Sequence, residues 1–156
     1  MSKNERLTEM ELIEPALRDA GWGIVPGSRI YPQYPITQGR LLGQGRKSSP
    51  LKADFVLFYK NRRVAVIEGK DKSLYYTDGV GQAKDYAGRL NIRYTYSTNG
   101  LQIYQIDMDE AKEVDVLKYP TPDELWEMTF PTEETNKAKE IAAAREQLFS
   151  IPFQDR

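Results

Sequence analysis

The chain contains no cysteine and no histidine. Disulfides, thiolate zinc sites, serine–histidine or cysteine–histidine catalysis and histidine-bound metals are therefore excluded. Any catalysis would have to use carboxylates, lysine, tyrosine, serine or threonine, and a bound metal would have to prefer oxygen ligands. No apolar run approaches the length of a membrane span, and the N-terminus lacks a signal-peptide pattern, so we expect a cytoplasmic protein.

Acidic residues are missing from one long interval, between Asp19 and Asp54. The basic residues within that interval are Arg29, Arg40, Arg46, Lys47 and Lys52. Because the net charge of the whole chain is only −1, this local distribution says more about binding than the total does. The glycine-rich part at 38–50 does not fit a P-loop, since arginines stand where the first glycine and the lysine belong. We expect a flexible basic loop, in which Arg46 and Lys47 either contact DNA phosphates or are ordinary surface residues.

The hydrophobic pattern predicts one mixed α/β (α+β) domain in 156 residues. Apolar residues recur at helical spacing in 4–20, 77–90, 119–126 and 132–149, and strand patterns occupy 29–37, 55–59, 64–67, 92–97 and 101–106. We expect helices that flank a mixed central β-sheet, with the domain at 1–130 and a charged connector helix at 131–156. The two prolines in 29–37 favour an edge strand.

Three helix boundaries carry local signals. Pro15 predicts a kink in the first helix or a start nearer Glu11, because proline fits best in a first turn. Thr77 or Asp78 is expected near the N-cap of the helix at 77–90. Thr121 is expected to cap the helix that follows it, with a proline at the first helical position.

The stretch from 53 to 70 concentrates the charged residues that could carry chemistry. The strands at 55–59 and 64–67 form a predicted hairpin around a polar turn. Side chains alternate along a strand, so Glu68 and Lys70 share one face. Folding the hairpin at its midpoint places Asp54 opposite Lys70 and diagonal to Glu68, within about 5–8 Å between Cβ atoms.

Two carboxylates with open space between them are hard oxygen ligands suited to Mg²⁺, which takes the rest of its shell from water and substrate phosphate. The lysine could hold the attacking water or stabilise charge on the phosphate. The alternative is a solvated, salt-bridged strand end, worth about 0–1 kcal/mol. Gln82 and Tyr86 lie four residues apart on one helical face, where they could hold a phosphate or orient Lys70, or be surface residues.

Six short motifs follow one another with specific order and spacing: LRDAGW at 17–22, ADFVL at 53–57, VIEGK at 66–70, DGVGQAKDYA at 78–87, STNG at 97–100 and YPTPDELW at 119–126. With these motifs the chain resembles the N-terminal nuclease domain of the restriction (R) subunit of Type I restriction-modification enzymes, in the PD-(D/E)xK nuclease superfamily. One departure is Ala53, which stands where the superfamily has its nominal proline.

The resemblance implies a restriction-endonuclease-like core. It also implies that Asp54 and Glu68 bind Mg²⁺, that Lys70 assists water attack, and that Gln82 and Tyr86 form a Q-x-x-x-Y motif beside the site. A glutamate of the first helix is expected near the metal as well, with Glu9 and Glu5 as the candidates.

The same resemblance implies double-stranded DNA as substrate, and modification and specificity subunits as partners. It further implies an ATP-driven translocase domain that follows in the same polypeptide. This chain has no P-loop, so ATP would serve only that motor, and the chain is expected to be an excised domain. Two hypotheses remain: an Mg²⁺-dependent endonuclease domain without sequence specificity of its own, or a catalytically inactive DNA-binding or subunit-assembly module with the same fold.

Overall fold

The computed structural model describes residues 3–36 and 51–150. The elements in these ranges are α1 (Lys3–Thr8), a π-helical turn (Glu9–Ile13), α2 (Glu14–Asp19), β1 (Ser28–Ile36), β2 (Leu51–Tyr59), β3 (Arg62–Gly69), α3 (Val80–Leu90), β4 (Tyr94–Thr98), β5 (Ile103–Asp107), β6 (Lys112–Val116), α4 (Pro122–Thr129) and α5 (Glu133–Ser150). The predicted α/β architecture, a mixed central sheet flanked by helices, is confirmed.

In the described part of the chain, six strands form one sheet whose spatial order follows the sequence from β1 to β6. β3 and β4 run parallel and are joined through α3, while all other neighbouring pairs are antiparallel. β1 lies at an edge, as its prolines predicted. The second edge strand, β6, was not predicted, because its sequence KEVDV is short, charged and largely exposed.

Each face of the sheet is covered by a separate apolar cluster. The larger cluster packs the first helices and α4 against one face and is centred on Ile13, Leu17, Trp22, Phe55, Leu57, Ile67, Tyr96 and Leu125. The smaller cluster packs α3 against the other face and contains Val56, Val66, Tyr86, Ala87, Leu90 and Ile92. Strands β2 and β3 are therefore buried on both sides, so their registration is fixed by packing as well as by the turn.

The turn between β2 and β3 has two residues, Lys60 and Asn61, both with positive φ (50° and 64°). This is the turn type that matches the twist of a tight hairpin. The pairing of Phe55 with Ile67 then puts Asp54 opposite Glu68. The predicted placement of Asp54 opposite Lys70 is therefore wrong, because the turn is shorter than the four polar residues suggested and one irregularity shifts the register next to Leu57.

The helix boundaries agree only in part with the sequence signals. Thr121 caps α4 through a reciprocal capping box with Glu124, as expected. α3 begins at Val80 with Gly79 at the N-cap, so Thr77 and Asp78 lie near the N-cap as expected, but neither side chain caps the helix. Gly79 also lies close to the sheet, since a Cβ at this position would be 3.0 Å from Ser97 Oγ.

The first helix starts at Lys3 rather than near Glu11, and Pro15 lies in the first turn of α2. The π-helical turn precedes it, with the Glu14 N–H bonded to the Glu9 carbonyl. Such turns lengthen the hydrogen-bonded loop by one residue and are frequent at functional sites. The sequence predicted an irregularity near Pro15, and in the structure this irregularity is the π-helical turn.

The helix expected at 132–149 is confirmed as α5, and its side chains at 136–147 are exposed. The boundary between a domain at 1–130 and a connector at 131–156 stays a prediction. The expected basic loop, with Arg46 and Lys47, lies outside the described residues. Among the helices that are described, none is long and apolar enough to cross a membrane.

Candidate active site

Strands β2 and β3 exchange side-chain contacts where their regular pairing ends. The Asp54 N–H donates to Glu68 Oε1 at 3.0 Å, and the Gly69 N–H donates to Asp54 Oδ2 at 2.8 Å. Each carboxylate is thus held by the backbone of the opposite strand. At this position the backbone N–H groups donate to side-chain carboxylates of the opposite strand instead of to backbone carbonyls. Both carboxylates are therefore held by the protein rather than by solvent.

Glu9 reaches the same place from the π-helical turn. It is only 3% exposed, and a Cβ added at Gly69 would lie 3.8 Å from Glu9 Cγ and 3.7 Å from Asp54 Oδ2. Glu9 and Asp54 therefore border the same backbone position. Of the two expected glutamates, Glu9 is the one beside the strand acids, while the charge of Glu5 is the last contributor to the raised pKa of Glu9.

Burial raises the pKa of all three carboxyl groups, and repulsion by Asp54 adds to the rise for Glu9 and Glu68. Loss of hydration, followed by the negative charge of Asp54, raises the pKa of Glu9 to about 8 and that of Glu68 to about 9. Burial also raises the pKa of Asp54, although its hydrogen bond from Gly69 acts in the opposite direction. Without a cation the cluster therefore retains protons at neutral pH, and a divalent cation would displace them.

The donor chemistry of this cluster fits a hard, oxygen-liganded cation such as Mg²⁺. Glu9 Oε1 is buried and has no hydrogen-bond partner, and an unsatisfied buried oxygen is costly unless a ligand completes it. As they stand, however, no three acidic side chains among the described residues are arranged to hold a metal ion. Asp54 Oδ2 and Glu68 Oε1 are already engaged by backbone N–H groups, which leaves one other oxygen on each carboxylate.

The remaining predicted side chains surround this cluster. Lys70 directly follows β3, is half-buried, and donates its backbone N–H to the Thr98 carbonyl at 2.8 Å. Its charge works against the raised pKa of Glu68. Gln82 Nε2 donates to the hydroxyl of Tyr86 at 3.0 Å.

Tyr86 is buried, and loss of hydration raises the pKa of its hydroxyl, with further contributions from the charges of Glu68 and Asp54. The Tyr86 hydroxyl is therefore close enough to Glu68 and Asp54 for their charges to affect its pKa. Arg46 and Lys47 lie outside the described residues.

Two residues at the site were not predicted from the sequence. Gln33 on β1 donates from Nε2 to Glu9 Oε2 at 3.4 Å. The second is Gly69, where a Cβ would lie 2.6 Å from Ile13 Cδ1. A glycine inside a strand pattern is a recognised sign of close backbone approach. The sequence around Gln33 carries no comparable signal.

A family model described as "Type I restriction enzyme R protein N terminus" matches residues 26–119. This range includes both strand acids, the lysine and α3. The chain belongs to this family. The resemblance inferred from the motifs is thereby confirmed at the level of the R-protein N-terminal domain.

Two relatives support the assignment. The chain is 28% identical over 135 residues to the Type I restriction enzyme EcoAI endonuclease subunit of Escherichia coli, an alignment that covers 78% of this chain and 16% of that protein. A solved fragment of an HsdR subunit of a Type I restriction enzyme from Vibrio vulnificus YJ016 is 34% identical, with a TM-score of 0.72. That similarity covers 81% of this chain and 25% of the solved chain, so the present chain spans a small part of each relative.

Proposed function

We propose that this chain is the Mg²⁺-dependent endonuclease domain of a Type I restriction enzyme R subunit. It hydrolyses phosphodiester bonds of double-stranded DNA and has no sequence specificity of its own. The observation that carries the proposal is the meeting of Glu9, Asp54 and Glu68, all with raised pKa, where β2 and β3 separate. Buried acids cost folding free energy, and such a cluster is typical of a site with a chemical task.

Each residue has a role that follows from its position. Glu9, Asp54 and Glu68 would hold Mg²⁺, which when bound polarises the scissile phosphate and lowers the pKa of a bound water. Lys70 follows the second acid along the strand and would stabilise the charge that develops on the phosphate. Gln82, hydrogen-bonded to Tyr86, would orient the lysine or a DNA phosphate.

The surrounding assembly follows from the family. The EcoAI relative is named as an endonuclease subunit, and the Vibrio fragment as part of an HsdR subunit. We infer that residues 1–130 form the nuclease domain and that 131–156 connects it to an ATP-driven translocase domain in a cytoplasmic protein. Modification and specificity subunits would choose the DNA target, since sequence readout requires contacts to base edges and no described helix suggests a base-reading role. The basic residues Arg46 and Lys47 are proposed to contact DNA phosphates.

A second candidate is the inactive DNA-binding or subunit-assembly module. One observation favours it: the described carboxylates are not arranged to hold a metal ion as they stand. In the endonuclease proposal, Glu9, Asp54 and Glu68 would hold the cation together with a DNA phosphate. In the alternative, the acids stay protonated and no cation binds.

The test is DNA cleavage by the full-length R subunit assembled with its partner subunits. Asp54→Asn and Lys70→Ala should each abolish cleavage of plasmid DNA in Mg²⁺, while ATP hydrolysis by the motor domain continues. The matched control is Glu11→Gln, which alters an exposed acid of the π-helical turn that also carries Glu9 and should cleave normally. Cleavage at the unmodified rate by either site variant would refute the proposed roles.

A further inference from the structure

Gln33 has a strained backbone in the middle of a strand. Its φ is +52°, a region that non-glycine residues seldom occupy. The other non-glycine residues with positive φ in the described ranges lie in the hairpin turn, at the end of α3 or in the turn before β6: Lys60, Asn61, Asn91 and Ala111. Those four positions need a reversal or an ending of the chain, whereas Gln33 lies within β1.

The strain falls opposite a site acid. β1 pairs with β2 through Pro32 with Phe55 and through Tyr34 with Ala53, and the intervening pair, Gln33 with Asp54, is missing from the ladder. The register is the same on both sides of this gap, so no residue has been inserted. Between Ser28 and Ile36, the regular pairing of β1 with β2 is interrupted only at Gln33, opposite Asp54.

With its backbone in this conformation, Gln33 contacts Glu9 through its side chain. Gln33 Nε2 donates to Glu9 Oε2 at 3.4 Å, and Arg6 Nη1 lies 3.9 Å from the same oxygen. The other oxygen, Oε1, is buried without a partner. One side of the carboxylate is thus held by protein, and the other is left for a ligand.

We propose that Gln33 is a positioning residue, which holds Glu9 so that Oε1 is presented to the cation. The inference rests on the proposed metal-dependent function. A hydrogen bond to a ligating carboxylate fixes its orientation, and loss of such outer partners typically weakens metal binding by about 10–100-fold. Strained backbone that persists at such a site is a recognised form of pre-organisation.

The chemistry of the side chain explains why glutamine is needed. Glycine or asparagine adopts positive φ more easily, but glycine has no amide and asparagine is one methylene shorter. Glutamate has the length but no donor, and it would add another negative charge beside Glu9. Only glutamine combines the reach with a neutral N–H donor.

The experiment is calorimetric titration of the chain with Mn²⁺, in parallel with thermal unfolding. Gln33→Gly should unfold at the same or a higher temperature, because the backbone strain is relieved, yet bind Mn²⁺ about 10–100-fold more weakly. The matched control is Ala111→Gly, which relieves positive φ in the turn before β6 and should leave Mn²⁺ affinity unchanged. A purely structural role for Gln33 would make the two variants behave alike.

Asp54→Ala separates failure of this inference from failure of the proposed function. If Asp54→Ala loses Mn²⁺ binding while Gln33→Gly keeps full affinity, the metal site stands and the positioning role is overturned. If the unmodified chain and Asp54→Ala bind Mn²⁺ equally or not at all, both proposals are overturned. Weak binding by Gln33→Glu, which keeps the length but not the donor, would further support the amide contact.

Discussion

Replacing Glu68 by glutamine should stabilise the domain in the absence of metal. Glu68 is 2% exposed, and burial followed by the charge of Asp54 raises its pKa from 4.5 to about 9. In the unfolded chain the same group ionises near its ordinary value. At pH 7 folding must therefore put a proton on a group that gives it up freely when unfolded.

The magnitude follows from that difference. The cost of protonation at pH 7 is set by the distance between pH 7 and the unfolded pKa of 4.5, and it amounts to at most about 3.5 kcal/mol, at about 1.4 kcal/mol per pH unit. Because the three acids influence one another's ionisation, we expect a gain of about 1–3 kcal/mol. Glutamine has nearly the same shape, carries no charge, and retains an oxygen that can accept the Asp54 N–H.

The sign of the pH dependence is equally specific. Since the folded pKa of Glu68 is raised, its contribution to stability is fully present below about pH 4.5 and is lost as pH rises toward about 9. The advantage of Glu68→Gln should therefore be small near pH 4.5 and grow through neutral pH. No other residue type at this position combines the shape with neutrality as closely.

The assay is thermal unfolding without divalent cations at several pH values. The gain corresponds to a rise of about 2–12 °C in Tm at pH 7 for a domain of this size. Glu11→Gln, at an exposed position of the π-helical turn, is the control and should change Tm little. A variant that is no more stable than the unmodified chain at pH 7, or a gain independent of pH, would refute the reasoning.

Three further predictions concern a close contact beside the site, an ion pair and a helix cap. Gly69→Ala should cost about 1–3 kcal/mol by overpacking, and adding Ile13→Val, which removes the Cδ1 atom 2.6 Å away, should recover part of it in a double-mutant cycle; additive losses would contradict the contact. Asp107→Asn should cost about 1–3 kcal/mol near neutral pH, because Arg93 donates to both its oxygens at 2.9 and 3.0 Å. Those hydrogen bonds lower the pKa of Asp107, so this loss should shrink when denaturation is measured at a pH below the ordinary value of 3.8, and a pH-independent loss would exclude the ion pair as its source. Thr121→Ala should cost about 1 kcal/mol through loss of the helix cap, measured by urea denaturation, whereas an unchanged midpoint would mean that the capping box contributes nothing.

The parts of the fold that follow local rules were predictable from the sequence. Period-two and helical patterns located most of the elements, and the Thr121–Pro122 pair located the start of α4. β6 could not be predicted, because a short charged strand at an edge is defined by its neighbour rather than by its own residues. The prediction of the hairpin register was wrong because Lys60 and Asn61 form a two-residue turn with positive φ, although neither is glycine.

The candidate site shows the same division. Alternation along a strand predicted that Glu68 and Lys70 share one face. The predicted hairpin brought Asp54 to them, but it placed Asp54 opposite Lys70, whereas the observed register places it opposite Glu68. The sequence narrowed the metal-proximal glutamate of the first helix to two candidates, Glu5 and Glu9. It could not decide between them, since the choice depends on how the π-helical turn packs against Gly69. Gln33 could not be found, because its contact depends on a backbone conformation that no local propensity favours.

We propose that Glu9, Asp54 and Glu68 together bind a divalent cation. The most direct test is titration of the chain with Mn²⁺ at pH 7, with and without a short DNA duplex, in two buffers of different ionisation enthalpy. We predict binding that releases protons, because the pKa values of Glu9 and Glu68 are raised to about 8 and about 9, and that disappears in Asp54→Ala combined with Glu68→Ala. Equal binding by the double variant, or no binding by the unmodified chain in either condition, would contradict the claim.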